Sequence, residues 1–355
     1  MDRATIETRL ARSEVFEDEN WDGLDLSGID FGGNILSKIS LRGCRFDGAR
    51  LSEVTLSQCD LTDAVLAGAA MRHVNVIQCK LDRAKLARTN LNAANLIEST
   101  FNDADLEETN LTIANISDCR FDGASLARAN LDRAAFVGAS FDGTDLAGAN
   151  LVKATFFRAD LRKAKLDGAT FHTTIFTESN LAGQSFEKRE LPLVQLIDAN
   201  LEGCNFNGAR IEQTNFKGAK LTKATFVKAR AKLAIFHKAT LTLAVMTGAD
   251  LFQAIFQEAS AEGADLSDSN LEQSIWIDAK CRAAKFMRCD LTHADFTHAD
   301  LSLANLGGAK MYRTRLHRAL RDGTNMPAGS AAALGDEPLL AEAEDWWETH
   351  RPNRS

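Results

Sequence analysis

The sequence predicts an all-β chain wound as a four-sided coil of short parallel strands. Three observations carry this. A large apolar residue recurs at every fifth position, a small residue stands two places before it, and the register runs for about 300 residues without a slip. Positions whose numbers end in 1 or 6, from Trp21 to Leu316, total 60, and all but Ala231, Ala261 and Cys281 carry Leu, Phe, Ile, Met, Val or Trp. Positions ending in 4 or 9, from Leu24 to Thr314, total 59, of which 34 are Ala. A period of five fits neither the 3.6 of a helix nor the 2.0 of a strand. It suits a chain that turns a corner every five residues and closes a square every twenty. The large residue then fills the interior, and the small one sits where the backbone nears the axis. Polar residues, often Asp-Gly or Lys-Ala, fall at the turns. Stacked coils hydrogen-bond like parallel strands about 4.8 Å apart, so sixty pentapeptides give about 15 coils and a rod of roughly 70 Å.

Each segment follows from this ladder. In residues 1–20, Arg9, Glu14 and Glu19 occupy inward small positions, so this stretch is expected to be an N-terminal cap, with a short helix. Residues 21–320 form the β-helix. Within it, QSFEKRELPLVQ places Gln184 and Arg189 at inward small positions and Pro192 after them, and a distorted coil is expected near 183–193. Residues 321–336, RDGTNMPAGSAAALGD, read as a linker. In 337–355, Pro338 starts an amphipathic helix or tail whose Leu339, Ala343, Trp346 and Trp347 share one face. That face either caps the last coil or docks a partner.

The rest of the composition excludes several classes. Charged residues make up 25%, and no apolar run approaches the roughly 20 residues of a membrane span. The first residues, MDRATIETRL, lack the apolar stretch of a signal peptide, which points to the cytoplasm. Six of seven cysteines (Cys44, Cys59, Cys79, Cys119, Cys204, Cys289) take the inward small position, and Cys281 takes a large one, so all seven are expected as reduced core thiols. The seven histidines show no zinc spacing and are read as isolated surface residues. No Ser/His/Asp set or phosphate loop is visible, and a square rod has no concave site. The chain is expected to be non-catalytic, with no cofactor and no metal.

The segments "LDRAAFVGASFDGTDLAGANL" and "CDLTHADFTHADLSLANL" match an A(D/N)LXX pattern over residues 21–320. In this the chain resembles the pentapeptide repeat family. The resemblance implies a right-handed quadrilateral parallel β-helix and, more weakly, a bacterial scaffold or adaptor of the kind found with type VI secretion effectors. Its quinolone-resistance members imply another role, mimicry of duplex DNA to bind a topoisomerase or gyrase. The charge distribution weakens that role. Residues 1–150 carry net −9 and 241–355 net −6, but 151–240 carry +7. That basic belt lacks interleaved aromatics, so direct nucleic-acid binding is not expected either.

One side of the square stands out. On the side centred on Leu36 and its twenty-residue repeats, the flanking outward positions carry Ile35, Ile77, Ile97, Val137, Phe157, Ile175, Ile197, Ile235, Ile255, Ile275 and Ile277. The other three sides carry four, three and none. Strand propensity does not choose one side of four. The expected site is therefore a partner-binding stripe on this side, joined by Trp346 and Trp347, taking a second copy of the chain or a partner protein.

Overall fold

The computed structural model describes residues 2–12, 14–328 and 332–350. Parts of the expected cap, linker and tail, at residues 1, 13, 329–331 and 351–355, lie outside the described residues. The chain divides into two compact units, Met1–Leu181 and Ala182–Ser355.

In the first unit, α1 (Arg3–Ala11) is capped by Asp2, whose carboxylate accepts the Thr5 N–H at 2.9 Å. Ile6 is buried. Arg9 donates to Glu14, to Glu19 and to the Val15 carbonyl, and its guanidinium lies 4.5 Å from the centre of the Phe16 ring. Eight strands follow: β1 (Phe16–Glu17), β2 (Ile35–Ser37), β3 (Thr55–Ser57), β4 (Asn75–Ile77), β5 (Asn95–Ile97), β6 (Asn115–Ser117), β7 (Ala135–Val137) and β8 (Thr155–Phe157). They form one sheet in chain order, parallel throughout, each step being twenty residues, from Phe16↔Leu36 to Phe136↔Phe156. The other three sides advance by the same twenty through single bridges, such as Asn20↔Ser40, Asp25↔Arg45 and Asp30↔Arg50. The fold is thus a parallel β-solenoid with four bridged sides per turn.

Two local devices make the corners. The residue ending in 3 or 8 takes the left-handed conformation, with φ between +48 and +78, which is why glycine is frequent there. An Asp or Asn ending in 0 or 5 accepts the N–H two residues on, as Asp60 does from Thr62, Asn90 from Asn92 and Asp145 from Ala147. This is an Asx turn, and it accounts for the Asp or Asn just before the large residue.

The core follows the ladder. Large inward residues are buried and stack on their equivalents one turn away: Phe101, Phe121 and Phe141 at 5.0 and 5.6 Å, and Phe136, Phe156 and Phe176 at 4.9 and 5.1 Å. Where the small inward residue is Ser, Thr or Cys, it commonly donates to the carbonyl twenty-three residues earlier, with Cys119 and Ser274 bonding to nearer carbonyls instead. Cys44 donates to Trp21, Thr89 to Leu66 and Ser99 to Val76. The polar atom is satisfied inside the coil, so these residues substitute for Ala without a desolvation penalty.

The second unit keeps the twenty-residue step but only as single bridges, for example Ile235↔Ile255 and Ile255↔Ile275. The sheet of three-residue strands therefore makes about seven turns, where the arithmetic gave about 15 equivalent coils. Phe186, Phe206 and Phe226 stack, as do Phe216, Phe236, Phe256 and Trp276. The distortion expected near 183–193 takes a milder form. Ser185↔Asn205 and Glu190↔Arg210 hold the regular step, and Gln184 and Arg189 sit half-buried at the small inward positions.

The expected linker is structured in part. Leu320 pairs with Asp300, Asn325 with Asn305, and Leu334 with Arg315. The last step is nineteen residues rather than twenty, which hides it from a search at period five. Beyond it lies α2 (Pro338–His350).

Candidate functional site

The stripe side is the side that forms β2 to β8, so its outward residues flank a parallel sheet in regular register in the first unit. Ile35 (59%), Ile97 (36%) and Val137 (41%) are exposed, and Ile77, Phe157 and Ile175 are half-buried by their neighbours on adjacent rungs. Ile77 pairs with Ile97 and Val137 with Phe157, while Ile175 bridges to Thr155. The Arg158 guanidinium covers the Phe157 ring at 4.6 Å. Beside the Ile77–Ile97 column runs a polar one. The Asn95 amide donates to Asn75 at 2.8 Å and the Asn115 amide to Asn95 at 3.1 Å. Ser117 stands between Ile97 and Val137 on the intervening rung, so the apolar surface of this unit comes in groups, not as an unbroken band.

In the second unit, Ile197, Ile235, Ile255, Ile275 and Ile277 all lie half-buried and outward. Ile235, Ile255 and Ile275 occupy three successive rungs, bridged in series.

The other expected site residues sit on α2, and there the structure corrects the reading of a helix that caps through its apolar side. Leu339, Trp346 and Trp347 are exposed, with both tryptophans at 59%. The helix meets the coils through its acidic side. Arg318 donates through Nη2 to the Ala341 carbonyl (2.9 Å) and to Asp345 (2.6 Å), and its backbone N–H donates to Asp336 (2.8 Å).

The histidines need a correction as well. His298 and His317 are not isolated: their Nε2 atoms stand 3.3 and 3.2 Å from the same Glu344 Oε2. His317 is buried, and its Nδ1 accepts the Glu337 N–H at 3.1 Å. Burial works against the Glu344 carboxylate, yet hydrogen bonds from the two imidazoles hold its pKa below the usual range. Sequence reasoning missed this cluster although a signal existed. A separation of nineteen in a twenty-residue coil puts two residues on adjacent rungs at one corner.

All seven cysteines are buried and free. Burial pushes the Cys44 and Cys119 thiols up to about 11 and those of Cys204 and Cys289 up to about 12. Cys79 is pushed up by its hydrogen-bonded neighbour Cys59 and by burial. Cys59 is shifted the other way, lowered by its hydrogen bond with Cys79, and the four thiols raised by burial stay protonated at neutral pH. The charged corner residues pair along the ladder, as Arg83 does with Asp63 and Arg288 with Asp268. No helix is long and apolar enough to cross a membrane among the described residues.

A family model described as a pentapeptide repeat region matches residues 39–116 and 75–151. A second, described as pentapeptide repeats (8 copies), matches residues 154–187, 195–230, 234–273, 264–302 and 284–320. No curated protein matches significantly. Among solved structures the chain is similar to HetL, a pentapeptide repeat protein involved in heterocyst differentiation regulation from the cyanobacterium Nostoc sp. strain PCC 7120. The identity is 24%, with 84% of this chain and 96% of that one covered, at a TM-score of 0.22. It is also similar to trypsin-treated QnrB1, a plasmid-mediated fluoroquinolone resistance protein, at 20% identity over 65% of this chain and 90% of that one, TM-score 0.34. Since the two family models together span well over half of its residues, the chain belongs to the pentapeptide repeat family.

Proposed function

We propose that this protein is a non-catalytic binding solenoid whose stripe side takes a second copy of the same chain. The observation that carries the reading is the Ile235–Ile255–Ile275 column on three successive rungs of the second unit, with the Ile77–Ile97 and Val137–Phe157 pairs on the stripe side of the first. Outward isoleucines gain nothing from the interior, and removing them from water is favourable at about 25 cal/mol per Å². A column that repeats at a fixed spacing is complementary to another copy of itself in a two-fold arrangement. The non-catalytic part of the reading rests on the pairing of corner charges along the ladder and on the thiols of Cys44, Cys119, Cys204 and Cys289 held protonated by burial.

The test is the triple variant Ile97→Lys, Phe157→Lys, Ile235→Lys. All three side chains point outward, so the fold should survive and β circular dichroism should be kept. Self-association should be lost. A variant that keeps both its fold and its oligomeric state overturns the reading.

A further inference from the structure

The contact between α2 and the coils has the chemistry of a metal site. One ligand atom from each of His298, His317 and Glu344 lies within 4.8 Å of the other two. His298 Nε2 and His317 Nε2 stand 3.3 and 3.2 Å from Glu344 Oε2. Ligands about 2.0–2.2 Å from a tetrahedral zinc ion are about 3.3–3.5 Å apart. Two edges of such a tetrahedron are therefore already close to their final length. Two imidazoles and one carboxylate form a donor set that leaves a fourth position open.

The surroundings fit as well. Ligating histidines usually present their other ring nitrogen to a carboxylate. His298 Nδ1 lies 3.6 Å from Asp278 Oδ1, and His317 Nδ1 lies 4.0 Å from Asp336 Oδ1. Two cations oppose: Arg318, whose Nε is 3.6 Å from Glu344 Oε2 and whose Nη2 is held by Asp345, and Arg321, which acts on Asp336. Asp278, Asp336, Glu344 and Asp345 outnumber these two cations. One rearrangement is required. While the Glu337 N–H donates to His317 Nδ1, the neutral ring carries its proton on Nε2 and points it at Glu344. A metal takes that place, so the ring proton moves to Nδ1, toward Asp336, and the Glu337 N–H turns away.

We propose that His298, His317 and Glu344 bind a divalent transition metal of the zinc class, which pins α2 to the last coils. The metal would hold the helix by its acidic side and keep Leu339, Trp346 and Trp347 facing outward. This inference does not depend on the stripe.

The experiment uses the full chain without an affinity tag, stripped with chelator and dialysed. Zn²⁺ is titrated calorimetrically, and Co²⁺ is added separately as a spectroscopic probe. The expected result is one saturable Zn²⁺ per chain and the intense visible absorption of four-coordinate Co²⁺. His298→Ala and Glu344→Gln should each abolish both signals, whereas His293→Ala and His237→Ala should change neither. His298 is partly exposed, so its variant should fold, and circular dichroism checks this. Absence of a saturable site in the wild-type chain overturns the proposal. So does binding that survives His298→Ala and Glu344→Gln, which would be adventitious binding to surface histidines.

Discussion

Ile113 sits at a corner with φ +54 and its side chain 44% exposed. A left-handed backbone costs a residue with a Cβ about 1–2 kcal/mol, and a β-branched one is the least suited. Ile113→Gly should therefore raise stability by up to about 1 kcal/mol after the entropy that glycine adds to the unfolded chain. Gly218 is the converse case. It holds φ +66, and an added Cβ would collide with Asp198 Oδ1. Gly218→Ala should lower stability by about 1–2 kcal/mol. Thermal or denaturant melts of both variants check the pair, and equal effects of the same sign would contradict the corner geometry. At the core, Phe156→Asp puts an unpaired charge between the stacked rings of Phe136 and Phe176 and should cost several kcal/mol, seen as insoluble or partly melted protein. The thiols give a further check. With pKa values near 11 and 12, Cys44, Cys119, Cys204 and Cys289 should not react with a disulfide reagent at pH 8. All seven cysteines should react after denaturation.

At the scale of elements, the ion pairs set the acid limb of stability. The Arg162 guanidinium holds Asp160 below the usual carboxylate range, and Arg288 does the same for Asp268. Groups with depressed folded values contribute stability above the unfolded pKa of about 4 and lose it as pH falls through the lower folded value. Melting temperature should accordingly be flat through neutral pH and fall below about pH 4. Deleting residues 337–355 tests the C-terminal end. The Arg315↔Leu334 bridge remains, and only α2 is removed, so β circular dichroism should persist. These elements also show what the sequence makes legible. The inward ladder is plain because period five matches no other regular structure. The corner conformation is not, since Lys, Glu, Arg and Leu all adopt it in place of Gly. The rung at Leu334 is concealed by its step of nineteen. The docking side of α2 is not decided by apolar periodicity, which groups Leu339 and the tryptophans on one face but leaves open whether that face caps the coils or takes a partner. Arg318, His298 and His317 instead draw the acidic side onto the coils.

For the whole molecule, the pattern of twenty predicts which residues face outward, and the structure places every stripe residue there, at least half-buried or exposed. Ser117, paired with Ile97 on one rung and Val137 on the next, divides the stripe of the first unit into groups, and the amide ladder of Asn75, Asn95 and Asn115 runs beside it. The central claim is that these groups, together with the Ile235–Ile255–Ile275 column, bind a second copy. Sedimentation velocity over a range of protein concentrations tests it most directly. The account predicts a concentration-dependent dimer for the wild-type chain and a monomer with unchanged β circular dichroism for the Ile97→Lys, Phe157→Lys, Ile235→Lys variant. A wild-type chain that stays monomeric at every concentration, or a folded triple variant that still dimerises, would contradict it.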